Sequence, residues 1–209
     1  MRFLQLIGLI LFLGGVVRAD LAGSRPNMII IIADDMAWND CSLYGNKGLP
    51  TPNIDKLATQ GMRFDRAFLT ISSCSPSRAS IITGRYPHQT DAEQLHWPIP
   101  KDQVTFTERL MKAGYWTASV GKFHMGEAMK DRFHVVKEAD MSGFIVSPEG
   151  KFRESAEGDA KSGAAQWVQT MRQRPKDKPF FLWLAALDPH RPYDQKIFNN
   201  PTKPENVTL

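Results

Sequence analysis

Apolar residues in this chain fall into short blocks, set apart by polar, glycine and proline breaks. Met28-Ile29-Ile30-Ile31-Ile32 is an unbroken apolar run. Such a run suits a strand buried on both faces, as in a parallel sheet. Tyr115 to Val120 and Phe180 to Leu187 read as further strands. Helical spacing fills the intervals. Thr51-Pro52 opens a helix, with Thr51 as cap and Pro52 at its first position. Ile54, Leu57 and Ala58 form its inner face and Gly61 ends it. Pro76 to Gly84 carries Ala79, Ile81 and Ile82 at helical spacing. Thr105 and Glu108 have capping-box spacing, Phe106 and Leu110 share a face, and Gly114 stops that helix. Ala164 to Arg174 predicts another helix. Met62 to Thr70 alternates weakly and reads as extended, and residues 147–163, rich in charge and glycine, read as a surface loop. There is no internal repeat or low-complexity tract.

Strand–helix alternation of this kind predicts an α/β fold with a mainly parallel sheet. In open sheets of that class, ligands gather outside the carboxyl ends of the strands. Asp34 and Asp35 follow the first run, Lys122 and His124 follow the run at 115–120, and Asp188 and His190 follow the run at 180–187. Three strands would therefore bring titratable side chains to one edge.

The chain's 209 residues are enough for one sizeable core. Apolar residues make up 42% and charged residues 23%, an ordinary globular balance. The first residues change the picture of where the protein works. Arg2 precedes a nearly all-apolar stretch from Phe3 to Val17, and Val17-Arg18-Ala19 has the small residues of a cleavage site. We expect residues 1–19 to be a signal peptide and the protein to be exported: secreted, periplasmic or lysosomal according to host. The rival reading, an uncleaved anchor, suffers from a run shorter than the ~20 residues a span needs. No other segment is apolar enough to cross a membrane. Losing Arg2 and Arg18 would lower the formal charge from +4 to +2, which gives no argument for nucleic acid. Asn206-Val207-Thr208 matches a glycosylation acceptor.

Adjacent carboxylates at Asp34 and Asp35 repel one another unless positive charge is near. A hard divalent cation with oxygen ligands would supply it, although two side chains are too few to complete a calcium site. A solvated strand end is the plainer alternative. Cys74-Ser75-Pro76-Ser77-Arg78 places a cysteine just before a helix start, where backbone amides and the helix dipole favour anions. Arg78 lies about one turn on, and its planar fork suits a tetrahedral oxyanion. The alternative is a structural cysteine or a Cys41–Cys74 disulfide, as export would permit.

Cys74-x-Pro76-Ser77-Arg78, followed by Ala79-Ser80 and Thr83-Gly84-Arg85, resembles the signature of type I sulfatases. Four further segments resemble that family in order and approximate spacing. They are Arg25-Pro26-Asn27 before the first strand, Thr51 to Leu57, Gly121-Lys122-Phe123-His124-Met125-Gly126, and Asp188-Pro189-His190-Arg191-Pro192. In motif text, Ser72 to Ser80 with Pro87-His88-Gln89 is most similar to the heparan N-sulfatase (sulfamidase) branch. The resemblance implies an alkaline-phosphatase-like sulfatase fold, with residues 20–209 forming the N-terminal part of the catalytic domain. It also implies a sulfated carbohydrate substrate, one bound Ca2+, and a maturation enzyme that oxidises Cys74 to formylglycine. Implied metal ligands are Asp34, Asp35 and the residue at Cys74. Implied catalytic residues are Cys74, Arg78, Lys122, His124 and His190: Arg78 positioning, Lys122 on sulfate, His124 as base, His190 on sulfate and the leaving group.

The family's later metal-site Asp, with its Asn or His partner, and its later sulfate-binding Lys or Arg have no counterpart up to Leu209. The chain is therefore expected to be an N-terminal fragment, with weak calcium binding and little turnover on its own. The rival readings are a related metal-dependent phosphatase or phosphodiesterase, and a glycan-binding remnant without chemistry. His88, His96 and His134 read as ordinary structural histidines, with His96-Trp97 a possible pocket lining. Trp38 and Tyr44 read as packing or pocket wall.

Overall fold

The computed structural model describes residues 23–139 and 164–190. Its four strands are β1 (Met28–Ile32), β2 (Trp116–Gly121), β3 (Val135–Glu138) and β4 (Phe180–Ala185). They form one sheet in the order β1-β4-β2-β3, and every pairing is parallel. Trp183 of β4 lies between Ile30 of β1 and Ser119 of β2. The helices are α1 (Pro52–Gln60), α2 (Cys74–Thr83), α3 (Phe106–Lys112) and α4 (Trp167–Gln173).

Two apolar layers hold the sheet. On one face Phe181, Trp183 and Ala185 pack with Ala79 and Ile82 of α2 and with Phe106 and Leu110 of α3. Phe106 meets Phe181 edge-on with centroids 5.2 Å apart. On the other face Trp116, Ala118, Val120, Leu182 and Leu184 pack with Trp167 and Met171 of α4. Each large apolar side chain so buried contributes about 1.5–3 kcal/mol. Every residue of β2 and β4 is buried, including Thr117 and Ser119 in the otherwise apolar β2, as suits central strands of a parallel sheet.

β1 departs from its expected two-sided burial. Met28, Ile30 and Ile32 face the first layer, but Ile29 and Ile31 remain 46% and 61% exposed. The reason is position: β1 is the outer strand among the described residues, and α4 covers β2 and β4 instead. The inner face expected for α1 is also exposed at Ile54 and Leu57. Polar bonds hold α1 instead. Thr51 sits at the N-cap position, but its hydroxyl bonds Ser42 and Asp55 rather than a helix amide. Ser42 also donates to Asp55 at 2.7 Å.

The cap at Thr105 is as expected, its Oγ1 accepting from the Glu108 amide at 3.2 Å. Glu108's own carboxylate turns to Lys112 and Arg132 instead of closing the box. Residues 62–70 form no strand and are exposed. With neither a partner strand nor a buried face, weak alternation does not suffice. β3 was not legible, because Lys137 and Glu138 interrupt a four-residue strand. The proposed signal peptide, the loop at 147–163 and the acceptor at Asn206 lie outside the described residues. Among the described residues no helix is long and apolar enough to cross a membrane.

Candidate active site

β1, β4 and β2 are neighbours and parallel, so their carboxyl ends share one edge. Backbone bonds carry the sheet past the strand ends. The Lys122 amide donates to Ala185 O at 2.8 Å, the Ala186 amide to Ile32 O, and the Asp34 amide to Asp188 O at 3.1 Å. The residues after each strand are thereby fixed relative to one another.

α2 arrives at this edge by its N-terminus. It begins at Cys74, two residues earlier than its sequence suggests. Ser73 takes the extended cap position, and Pro76 falls in the first turn, where a missing N–H costs no helix bond. No side chain caps this end. Cys74 is half-buried and unbridged, as is the buried Cys41, so the disulfide alternative is overturned. Burial, then Asp40 and Asp55, push the Cys41 thiol up.

Asp34 is the centre of the cluster. It is 5% exposed, accepts from Arg78 Nη2 at 3.4 Å through Oδ1, and bonds the Lys122 ammonium through Oδ2. Arg78 Nη1 also donates to Lys122 O at 2.9 Å. Arg78 is therefore turned into the protein. Burial lowers its pKa, partly offset by Asp34 and by the nearby Cys74. One carboxylate faces two buried cations, which leaves a net positive charge beneath the start of α2. Lys122, expected on sulfate, is engaged by Asp34. Asp35 is exposed and lies 3.6 Å from Nε2 of His190. The paired carboxylates thus do different work, one structural and inward, one at the rim.

His124 lies beside His96, for which the sequence predicts an ordinary structural role or a place in a pocket lining. Nδ1 of His96 and Nε2 of His124 are 2.8 Å apart. Both histidines have positive φ, +69° and +51°, as does Asp35 at +61°. Such backbone costs on the order of 1 kcal/mol or more per residue, and strain of this kind clusters at functional sites. His96-Trp97-Pro98 lies in no regular element, so no periodicity could have placed it. His134 keeps its ordinary role, its ring bonded to Thr117. Trp38 meets Tyr44 edge-on at 5.8 Å, and the Tyr44 hydroxyl donates to Phe64 O.

Desolvation, then Lys122, His96 and Arg78, lower the pKa of His124 to about 4. Its ring is neutral near pH 7. Between about pH 6.5 and 4 the unfolded chain binds the proton that the folded chain excludes, so stability should fall as pH drops through that window. Urea unfolding at pH 7 and pH 4.5 should show this loss, and His124→Gln should lose less. His134, lowered by burial, adds a smaller term of the same sign in both proteins.

The expected divalent cation finds an incomplete donor set. Among the described residues no three His, Cys, Asp or Glu side chains converge. Both oxygens of Asp34 are engaged by cations, whereas calcium takes roughly six to eight oxygens. These residues alone do not make the site.

The architecture and the polar edge place this chain among known proteins. The sulfatase family profile matches residues 26–206. The chain is 32% identical over 198 residues to an N-acetylglucosamine-6-O-sulfatase of Bacteroides thetaiotaomicron, covering 88% of this chain and 35% of that protein. It is 31% identical over 222 residues to the N-acetylgalactosamine-6-sulfatase of Rattus norvegicus, covering 85% and 42%. A solved structure in complex with its substrate D-glucosamine-2-N,6-O-disulfate superposes with a TM-score of 0.66 at 30% identity, covering 80% of this chain and 35% of that one. The fold is thus the alkaline-phosphatase-like α/β fold of sulfatases. This chain belongs to the sulfatase family. It spans less than half the length of the curated relatives it matches.

Proposed function

We propose that the protein is an exported sulfatase that removes sulfate from an amino sugar of a sulfated glycan, using Cys74 after its oxidation to formylglycine. The observation that carries this reading is the net positive, buried Asp34–Arg78–Lys122 cluster beneath an uncapped helix end whose first residue is Cys74. A tetrahedral sulfate group, singly charged in the ester, would meet backbone amides and an unbalanced cation there. The relatives named for 6-sulfated amino sugars support a sulfate ester at C6 as the substrate bond. A second substrate, an N-sulfate, is favoured by the doubly sulfated sugar bound in the solved relative.

Hydrated formylglycine offers two hydroxyls on one carbon, one to attack sulfur and one to expel sulfate by collapse to the aldehyde. The surrounding residues would position and move protons. Arg78, anchored to Asp34 and Lys122 O, would hold its charge beneath position 74. Lys122, held against Asp34, would supply positive charge from behind the sulfate without touching it. His124, neutral at pH 7, would take the proton released at collapse, and His190 would protonate the departing sugar oxygen. Asp34, Asp35 and position 74 would hold calcium only together with further oxygen donors, and only if Asp34 gave up one of its cation contacts.

Intact mass tests the modification. Co-production with a formylglycine-generating enzyme should lower the mass by roughly 18 Da relative to the thiol form. An unchanged mass under those conditions would refute the proposed nucleophile.

A further inference from the structure

The segment carrying His96 is built against the site from two sides. Its backbone amide donates to Ser75 Oγ at 2.8 Å, next to Cys74. Three residues on, the Ile99 amide donates to Met125 O at 3.0 Å, next to His124. Pro98 closes on Gly126 so tightly that a Cβ there would lie 2.5 Å from Pro98 Cβ. These contacts hold His96 in left-handed backbone against a second histidine in the same conformation.

The far nitrogen of the His124 ring adds a second observation. Nδ1 of His124 is fully buried and has no hydrogen-bond partner. Two neutral arrangements satisfy the His96–His124 bond. Either His96 Nδ1–H donates to His124 Nε2, or His124 Nε2–H donates to His96 Nδ1. The first leaves a proton on the buried His124 Nδ1 with nothing to accept it. The second leaves only a lone pair there, and an unmatched lone pair is tolerated better than an unmatched N–H.

We propose that His96 is a positioning residue: it accepts the Nε2 proton of His124 and so fixes the orientation and tautomer of that ring. Its bearing on turnover rests on the functional reading above, but the tautomer itself does not. The charged groups around the His124 ring work in the same direction. Lys122 and Arg78 oppose a second proton on the ring, and Asp34, the one group favouring it, is engaged by both cations. The pair is therefore neutral and has a defined direction: Nε2–H points to His96, and Nδ1 is left as a buried lone pair. A histidine oriented by a second partner is a recurring device in catalysis.

The test is two-bond proton–nitrogen correlation on the 15N-histidine-labelled protein at pH 7. The expected spectrum has His124 protonated at Nε2 and bare at Nδ1. His96→Ala should scramble that tautomer, whereas His96→Gln, whose amide oxygen can accept from Nε2–H, should keep it. Signals of His134, tied to Thr117, report that each variant is folded. A wild-type His124 protonated at Nδ1 would overturn the proposal, as would an unchanged tautomer in His96→Ala. The wild-type spectrum decides even where a variant fails to fold. On a 6-sulfated amino sugar, His96→Ala should lower kcat about 10–100-fold with KM little changed, and Gln should restore most of it. A rise in KM with kcat intact would instead make His96 a substrate contact and also overturn the proposal. Absence of turnover in the wild type would refute the functional reading and leave the tautomer standing.

Discussion

Asp34→Ala should destabilise the fold by about 3–5 kcal/mol, the usual cost of stranding a buried charge. Here two cations are stranded. Lys122 is 1% and Arg78 3% exposed, and Asp34 is the carboxylate that each contacts. Neither side chain can reach water without opening the layer of α2 against the sheet. Asp34→Asn should fall between, since an amide oxygen can still accept from one of them but brings no charge. Asp35→Ala is the control. That residue is exposed, and its pairing with His190 is long, so its removal should change stability by less than about 1 kcal/mol. Urea midpoints measure all three. Equal midpoints for Asp34→Ala and Asp35→Ala would show that the cluster does not hold the site together.

Cys74→Ala should abolish turnover, by about six orders of magnitude if the residue is a covalent nucleophile. Cys74→Ser is more informative. A serine hydroxyl can attack sulfur, but it has no second hydroxyl with which to expel sulfate. The serine protein should therefore become heavier by one SO3 group on incubation with substrate and then stop. Neither substitution should unfold the protein, because Cys74 is half-buried, unbridged and at the first position of α2. Stability unchanged together with activity lost separates this position from Asp34, where both should fall.

β2 and β4 were legible because they are buried on both faces and carry mostly apolar text, broken only by the small polar Thr117 and Ser119 in β2. The meeting of Asp34, Lys122 and His190 on one edge followed from that topology, since parallel strands put their carboxyl ends together. The arrangement within the edge did not follow. Lys122 faces Asp34 because both are shut away from water together, and a one-dimensional reading cannot see that enclosure. α2 begins earlier than its apolar spacing implies, because Ser73 and Pro76 set its first turn and the apolar residues come later. The exposed faces of β1 and α1 show the limit of periodicity. Pattern identifies the side that could be buried, and only the neighbours determine whether it is. His96 was hidden for a different reason, since its place depends on a left-handed backbone in an irregular segment and on contacts to two distant loops.

Sulfate release from N-acetylglucosamine-6-sulfate, measured against the fraction of protein converted at position 74, is the most direct test. The release, expected to be small for this chain alone, should rise in proportion to the converted fraction, quantified by mass, and be nil at zero conversion. Release that is independent of conversion, or undiminished in Cys74→Ala, would mean that the positive cluster at the head of α2 serves some other chemistry.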